Sequence, residues 1–341
     1  MPKIVYLDTL PAQNGIDILE NPSLIEVVKI TSDGDYKKSF SELESAHAYQ
    51  VSAARDEVPK MFQVNEEFLS KTPNLLLVSS GGAGFDTIDV EACTKKWILV
   101  VNQTGGNAEA VAEHAVGMMI SLVKKINESD RALRKGWYGE RTEFLGLNLL
   151  NKTIGIVGLG NTGGRVAEIC IKAFNCKVLS YDPYLNDERF KKLGVIKSKL
   201  EDLLSESDIV TVHIPLNNET KNMINLDFFT KMKKGSYFVT TSRGSIHNED
   251  DLDKVINCSH LSGAGLDVWE KEPPDSSHKL LKHKNVIATP HIAGVTRDSR
   301  NKMSEFVAKQ LLTIMGGGIA ERPVNPSVLE VFKNKLKNID N

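Results

Sequence analysis

The stretch that most limits how this chain can fold is Asn151 to Arg165, NKTIGIVGLGNTGGR. Ile154-Gly155-Ile156-Val157 is an apolar run with the character of a buried strand. Gly158-Leu159-Gly160-Asn161-Thr162-Gly163 is a G-x-G-x-x-G turn, and Arg165 to Phe174 has helical spacing. Strand, glycine turn and helix in that order make a dinucleotide-binding fingerprint. Gly158 permits the tight turn, Gly160 lets a pyrophosphate approach the backbone, and Gly163 lets the helix lie close to the strand. The helix N-terminus adds unpaired N–H groups and the positive end of its dipole for the phosphates. Glycine-rich turns also serve as plain loop punctuation, so the pattern needs its second half. Val178 to Tyr181 is a short strand ending at Asp182, nineteen residues after Gly163. A carboxylate there accepts the adenosine ribose hydroxyls and repels a 2′-phosphate, which favours NAD over NADP. A turn residue before Pro183 is the alternative reading.

Apolar strands alternate with helical segments on both sides of this stretch. Lys3 to Asp8, Val27 to Ile30, Ala48 to Ser52, Leu75 to Ser79 and Ile98 to Val101 read as strands, with helices at Gln13 to Glu20, Glu66 to Lys71 and Val90 to Lys96 between them. Near-continuous apolar strands separated by helices indicate a parallel sheet covered on both faces. Asn107 to Lys125 reads as a long core helix, which could also carry a subunit interface. Arg131 to Phe144, polar and aromatic, is expected to wrap over other elements. Beyond the glycine turn, Asp208 to His213, Ser236 to Thr241, Leu261 to Val268 and Val286 to Thr289 supply further strands. Asn248 is placed to cap a helix, Asn301 to Met315 is a final amphipathic helix, and Arg322 to Asn341 is a tail with a short helical stretch.

Several strands end on a chemically distinctive residue, and in an open α/β sheet that edge binds ligands. Arg243, in Thr241-Ser242-Arg243-Gly244, offers a planar fork suited to a bidentate grip on a carboxylate. His291, in Thr289-Pro290-His291-Ile292, can exchange a proton near neutral pH, as carbonyl reduction requires. Glu272, in Glu270-Lys271-Glu272-Pro273, could pair with that histidine and keep its proton available. Each alone has a bland reading: a surface salt bridge, a satisfied core histidine, a charged loop.

With 341 residues the chain is long enough for two ordinary domains. A net charge of −2 gives no case for nucleic acid or an electrostatically bound membrane, and no apolar run reaches membrane-spanning length. The start, MPKIVYLD, reads as a strand and not as a signal peptide. Cys93, Cys170, Cys176 and Cys258 are scattered without ligand spacing, which points to reduced thiols in a cytoplasmic protein and to no metal site.

In combination, GLGNTG at 158–163, Asp182, TSRG at 241–244, GLDVWEKEPP at 265–274 and TPHIAG at 289–294 resemble the D-isomer-specific 2-hydroxyacid dehydrogenase family. That family includes D-3-phosphoglycerate dehydrogenase, glyoxylate/hydroxypyruvate reductases and D-lactate dehydrogenases. Gly84 to Asp89 and Gly105 to Glu113 look like two further family segments, and the resemblance runs from about residue 70 to 326. It implies an α/β fold of two Rossmann-like domains with parallel sheets. The NAD-binding domain, residues 102–292, would be inserted into a discontinuous flavodoxin-like substrate domain, residues 1–101 and 293–341, with the site in a cleft that closes before hydride transfer.

The resemblance also implies roles. Arg243 would bind the substrate carboxylate and carbonyl, His291 would be the general acid/base and Glu272 its partner, with backbone amides around Gly82, Ala83 and Gly84 holding the carboxylate. NAD would touch Ala83, Asn161, Thr162, Asp182, Ile214, Thr241, Ser242, Arg243, Asp267 and the turn from His291 to Gly294. The expected activity is interconversion of a small 2-keto acid and a D-2-hydroxy acid, in a cytoplasmic homodimer. Two alternatives stay open: D-3-phosphoglycerate dehydrogenase specifically, or a non-catalytic NAD(H)-sensing, corepressor-like binding protein. Some positions depart from the family. The usual G-x-D-N is Gly84-Phe85-Asp86-Thr87, and Ser80 and Ser52 stand where many phosphoglycerate-type members carry arginine, with Arg55 displaced. Feedback by serine through a C-terminal regulatory domain is not expected.

Overall fold

The computed structural model describes residues 1–21 and 25–339; the last two residues of the expected tail lie outside them. The chain divides into two compact units, residues 1–107 with 295–341, and residues 108–294.

The first unit opens with β1 (Lys3–Leu7), α1 (Gln13–Leu19), β2 (Glu26–Ile30), α2 (Tyr36–Glu44) and β3 (Ala48–Val51). It continues with α3 (Glu66–Ser70), β4 (Leu77–Ser80), α4 (Val90–Lys95) and β5 (Leu99–Val101). Its five strands are all parallel in the order β2-β1-β3-β4-β5, the flavodoxin-like arrangement. Side chains of a strand alternate between faces. Val5, Tyr49 and Val78 therefore pack one way, with Leu43, Phe62 and Phe68. Ile4, Tyr6, Leu77 and Leu99 pack the other way. The unit extends past the expected exit at Val101 because Asn102 and Gln103 still bond into it. The Gln103 N–H donates to the Gly82 carbonyl (2.8 Å), and Asn102 Nδ2 donates to the Ala83 carbonyl (2.8 Å).

The second unit starts with α5 (Ala108–Val123) and α6 (Ile126–Arg134). There follow β6 (Thr153–Val157), α7 (Asn161–Phe174), β7 (Lys177–Tyr181), α8 (Asp187–Leu193), β8 (Ile196–Lys197), α9 (Leu200–Glu206) and β9 (Ile209–Val212). It closes with α10 (Leu226–Lys231), β10 (Tyr237–Thr240), α11 (Glu249–Asn257), β11 (Gly263–Leu266) and β12 (Val286–Ala288). Seven parallel strands run in the order β12-β11-β10-β9-β6-β7-β8, so the order reverses between β9 and β6, beside the glycine turn. Ile154 and Ile156 face α5 and α7, whose buried Ala115, Met119, Val166 and Ala167 cover that side. Val157, Val210 and Phe238 face α9, α10 and α11 on the other. The burial of α5 along Ala112, Ala115, Met119 and Leu122 is that of a core helix.

The chain then returns to the first unit through α12 (Arg297–Met315) and α13 (Leu329–Lys337). α12 begins before the expected Asn301 because the Thr296 side chain accepts from the Ser299 N–H and caps it there. Among the described residues no helix is long and apolar enough to cross a membrane.

Candidate active site

The glycine turn after β6 has three distinct local geometries. Gly158 lies at φ +92°, and a Cβ on it would meet the His213 carbonyl oxygen and Ile214 Cγ2, each at 2.7 Å. Gly163 packs directly on the Gly158 carbonyl, so any side chain there would collide with backbone. Gly160, which precedes the first turn of α7, is different: a Cβ would have no heavy atom within 4 Å. No side chain caps α7, leaving the N–H groups of its first turn, Asn161 to Gly163, without an internal acceptor. Open backbone beside an uncapped fourteen-residue helix suits a pyrophosphate. Asp182 sits at the end of β7 with one oxygen accepting from the Leu159 N–H (2.9 Å) and the other from the Tyr184 N–H (3.1 Å). A carboxylate has about four acceptor positions, so capacity for ribose hydroxyls remains. A cavity of about 320 Å³ lies alongside it, lined by Tyr181, Asp182, Pro183, Lys197, Ser198 and Lys199. These residues fit NAD.

The ends of β9 and β10 continue the same edge. Burial pushes the His213 imidazole down to about 4, so it is neutral, with Thr211 Oγ1 at 3.0 Å and Thr241 Oγ1 at 3.5 Å from its ring nitrogens. The Ser242 hydroxyl donates to the Val212 carbonyl (2.8 Å), and Arg243 Nη1 donates to the Ser242 carbonyl (2.7 Å). Gly244 then packs onto the backbone of Trp269 and Glu270 so closely that no side chain fits. This contact ties the arginine strand end to the loop that carries Glu272.

Glu272 Oε1 accepts from the Trp269 N–H (3.0 Å), and Oε2 is 2.7 Å from His291 Nδ1. The hydrogen bond to Glu272 raises the His291 pKa against the opposing effect of burial, and the Arg243 charge also works against it. Burial pushes Glu272 upward, but its bonds to His291 and Trp269 and the positive charges of His291 and Arg243 outweigh that and leave it below its ordinary value. Arg243, Glu272 and His291 thus form one electrostatic group.

His291 adopts φ +56°, which costs a non-glycine residue about 1–2 kcal/mol. The turn is held there by Asp267, which is fully buried at the end of β11. The Asp267 carbonyl accepts from the His291 N–H (2.8 Å). Its Oδ1 accepts from the Thr289 hydroxyl (2.5 Å) and the Ile292 N–H (2.9 Å), and its Oδ2 from the Ala293 N–H (2.8 Å). The Asp267 side chain, expected to touch NAD, is therefore committed first to the His291-to-Gly294 turn.

Gly82, Ala83 and Gly84 belong to the first unit, after β4. Their carbonyls accept from the Gln103 N–H (2.8 Å), Asn102 Nδ2 (2.8 Å) and the Ser80 hydroxyl (2.6 Å) respectively. None of their own N–H groups donates to a partner among the described residues, as anion-binding amides require. Thr87, where the family pattern has an amide, turns its hydroxyl inward to the Ser52 carbonyl (2.6 Å). Arg55 Nε donates to the Asp86 carbonyl (2.5 Å).

Sequence reasoning missed the supports of this site. Trp269 and Thr289 lay inside quoted motifs, and only their bonds separate them from their neighbours. His114, whose Nε2 is 3.1 Å from Thr289 Oγ1, sits mid-helix with nothing in its spacing to mark it.

Strand order and glycine turn together define a dinucleotide-binding α/β protein. Comparison with known proteins narrows this. Residues 116–293 match the family model described as D-isomer specific 2-hydroxyacid dehydrogenase, NAD binding domain. The chain is 39% identical over 267 residues to a D-3-phosphoglycerate dehydrogenase of Archaeoglobus fulgidus, covering 78% of this chain and 50% of that protein. It is 37% identical to a glyoxylate reductase of Thermofilum pendens, covering 79% and 80%. A crystal structure of the Aquifex aeolicus D-lactate dehydrogenase complexed with NAD and lactic acid superposes with a TM-score of 0.79 at 30% identity, covering 94% and 98%. The chain spans about half the length of the phosphoglycerate dehydrogenases it matches. The chain belongs to the D-isomer specific 2-hydroxyacid dehydrogenase family, and its second unit is an NAD-binding domain.

Proposed function

We propose that this protein interconverts a small 2-keto acid and the corresponding D-2-hydroxy acid, with NAD as cofactor. The observation that carries the reading is the 2.7 Å His291–Glu272 bond within the field of Arg243. Bound NAD supplies or accepts the hydride at the substrate C2. In reduction, protonated His291 gives its ring proton to the carbonyl oxygen, and in oxidation the neutral ring takes it back. Nδ1 faces Glu272, so Nε2 is the nitrogen left for substrate. Glu272 stabilises the imidazolium, and Arg243 grips the carboxylate and the carbonyl oxygen. A phosphorylated substrate such as phosphohydroxypyruvate has weaker support, because Ser52 and Ser80 bring no charge.

The proposed working form is a homodimer in the cytoplasm. Leu133, Tyr138, Leu145 and Leu150, near one another in sequence, are exposed apolar side chains, and this exposure supports self-association, which light scattering tests. The activity is tested by NADH oxidation across glyoxylate, pyruvate, hydroxypyruvate, phosphohydroxypyruvate and larger 2-keto acids. Turnover of at least one with a D-product is expected. NADH binding without turnover of any would overturn the reading in favour of a cofactor-sensing protein.

A further inference from the structure

We propose that His114 is a positioning residue for His291, acting through Thr289 and Asp267. The inference rests on the reading of His291 as the proton carrier. His114 lies on α5 with Nε2 3.8 Å from Asp267 Oδ1, and it is the only group of that helix bonded to the β12 end among the contacts described. The directions of the bonds are fixed by chemistry. The Asp267 carboxylate only accepts, so the Thr289 hydroxyl must spend its single proton on Oδ1 at 2.5 Å. Thr289 Oγ1 can then only accept from His114 Nε2 at 3.1 Å, which fixes the His114 proton on Nε2. The relay runs from the Nε2 proton to the Thr289 hydroxyl to the Asp267 carboxylate.

From Asp267 the relay passes to the turn itself. The carboxylate accepts from the Ile292 and Ala293 N–H groups, and the Asp267 carbonyl from that of His291. His291 stands in a left-handed conformation that these bonds must maintain. A donor lost at His114 lets the Thr289 hydroxyl turn, loosens its hold on Oδ1, and frees the turn to relax. The Nδ1 to Glu272 contact then lengthens. The charged and titratable groups acting on His291 are Glu272 from the loop after β11, Arg243 from the end of β10 and Asp267 from the end of β11. Each keeps its identity when His114 is changed, so a shift in His291 would report position and not a lost charge on it.

The experiment is an NMR titration of the His291 ring in ring-labelled, full-length protein, assigned with His291→Gln. Wild type is compared with His114→Leu, His114→Gln, Thr289→Val and the double variant His114→Leu/Thr289→Val. His114→Leu and Thr289→Val should each lower the His291 midpoint by about half a unit to one unit. The double variant should lower it no further than either single one, as expected for two members of one relay. His114→Gln, which keeps an amide donor at similar reach, should return the midpoint to the wild-type value. A wild-type midpoint in His114→Leu, or additive shifts in the double variant, would overturn the proposal. If His114→Leu fails to fold, Thr289→Val against wild type and His114→Gln decides it: an unshifted Thr289→Val refutes the relay. The titration needs no turnover, so its outcome is separate from that of the dehydrogenase reading, which the substrate screen and the turnover of His291→Gln decide.

Discussion

The two units share an architecture and differ in the turn after the opening strand. In the first unit, β1 runs through Asp8, at φ +57°, and Pro11 into a short α1, with no glycine in the turn. The Asp8 carboxylate accepts from the Ser32 N–H (2.8 Å), spanning to the loop after β2. In the second unit, β6 runs through Gly158, Gly160 and Gly163 into α7, and the bridging carboxylate is Asp182, reaching back from β7. Both turns link neighbouring strands through an aspartate. Only the second leaves open backbone in front of a long uncapped helix. A doubly wound sheet therefore supplies an edge, and the turn residues decide whether that edge holds a nucleotide.

The largest expected effect tests whether the chemistry lies at the second edge at all. His291→Gln should reduce steady-state turnover at least about a hundredfold, while calorimetry finds NAD affinity unchanged. Full turnover in that variant would remove the second unit's claim to the reaction. The contrast between the glycines is the next way to break the comparison. Gly160→Val should weaken NAD binding about tenfold or more, roughly 1.4 kcal/mol, with an unaltered melting temperature, because its side chain enters space that only a ligand would fill. Gly15→Ala, in α1 against Ser304, should cost about 1–3 kcal/mol of stability and leave NAD affinity alone. An equal loss of NAD binding in both would mean the two turns are not distinct in function.

A finer test uses pH. Folding raises the His291 pKa, so reduction should be flat at lower pH and fall as pH rises through the His291 value. The stability the pair contributes through His291 follows the same sign: it is full below the ordinary histidine value of about 6.5 and lost as pH rises through the folded value. Glu272→Gln should move the falling limb of the pH–rate profile to lower pH and cut turnover at pH 7 by about tenfold. The smallest effect expected is on cofactor choice. Asp182→Ser should raise the NADP-to-NAD preference several-fold, read as the ratio of kcat/KM with the two cofactors, and lower the melting temperature, because the Leu159 and Tyr184 N–H groups lose their acceptor.

Most of the strands and the site edge were legible in the sequence because parallel strands buried on both faces are apolar throughout, and a glycine turn has few uses. Val286 to Ala288 and the Asn248 cap, whose side chain accepts from the Asp251 N–H, are local signals of this kind. α2, α8 and α9 did not stand out, since each is nine residues or fewer and more than half polar. α7 was read from Arg165, four residues late, because Asn161 to Gly164 are weak helix formers that the phosphate turn favours. The Asp267 network was illegible for another reason: Thr289, Ile292 and Ala293 contribute a hydroxyl and backbone N–H groups, and backbone groups carry no sequence signature.

The discontinuity of the first unit has a consequence for biosynthesis. One face of its sheet, with Ile4, Tyr6, Leu77 and Leu99, is covered by Val307, Leu311 and Ile314 of α12. A ribosome adding residues from the N-terminus delivers that cover only after the whole of 108–294 has emerged. The inserted unit has its last strand by Ala288, ahead of α12, and can mature first, while the opening segment waits with greasy surface bare. Newly made chains should thus bind holdase chaperones through the early residues, and cutting translation short ahead of α12 should yield a sound nucleotide-binding core tethered to a sticky, unfinished leader.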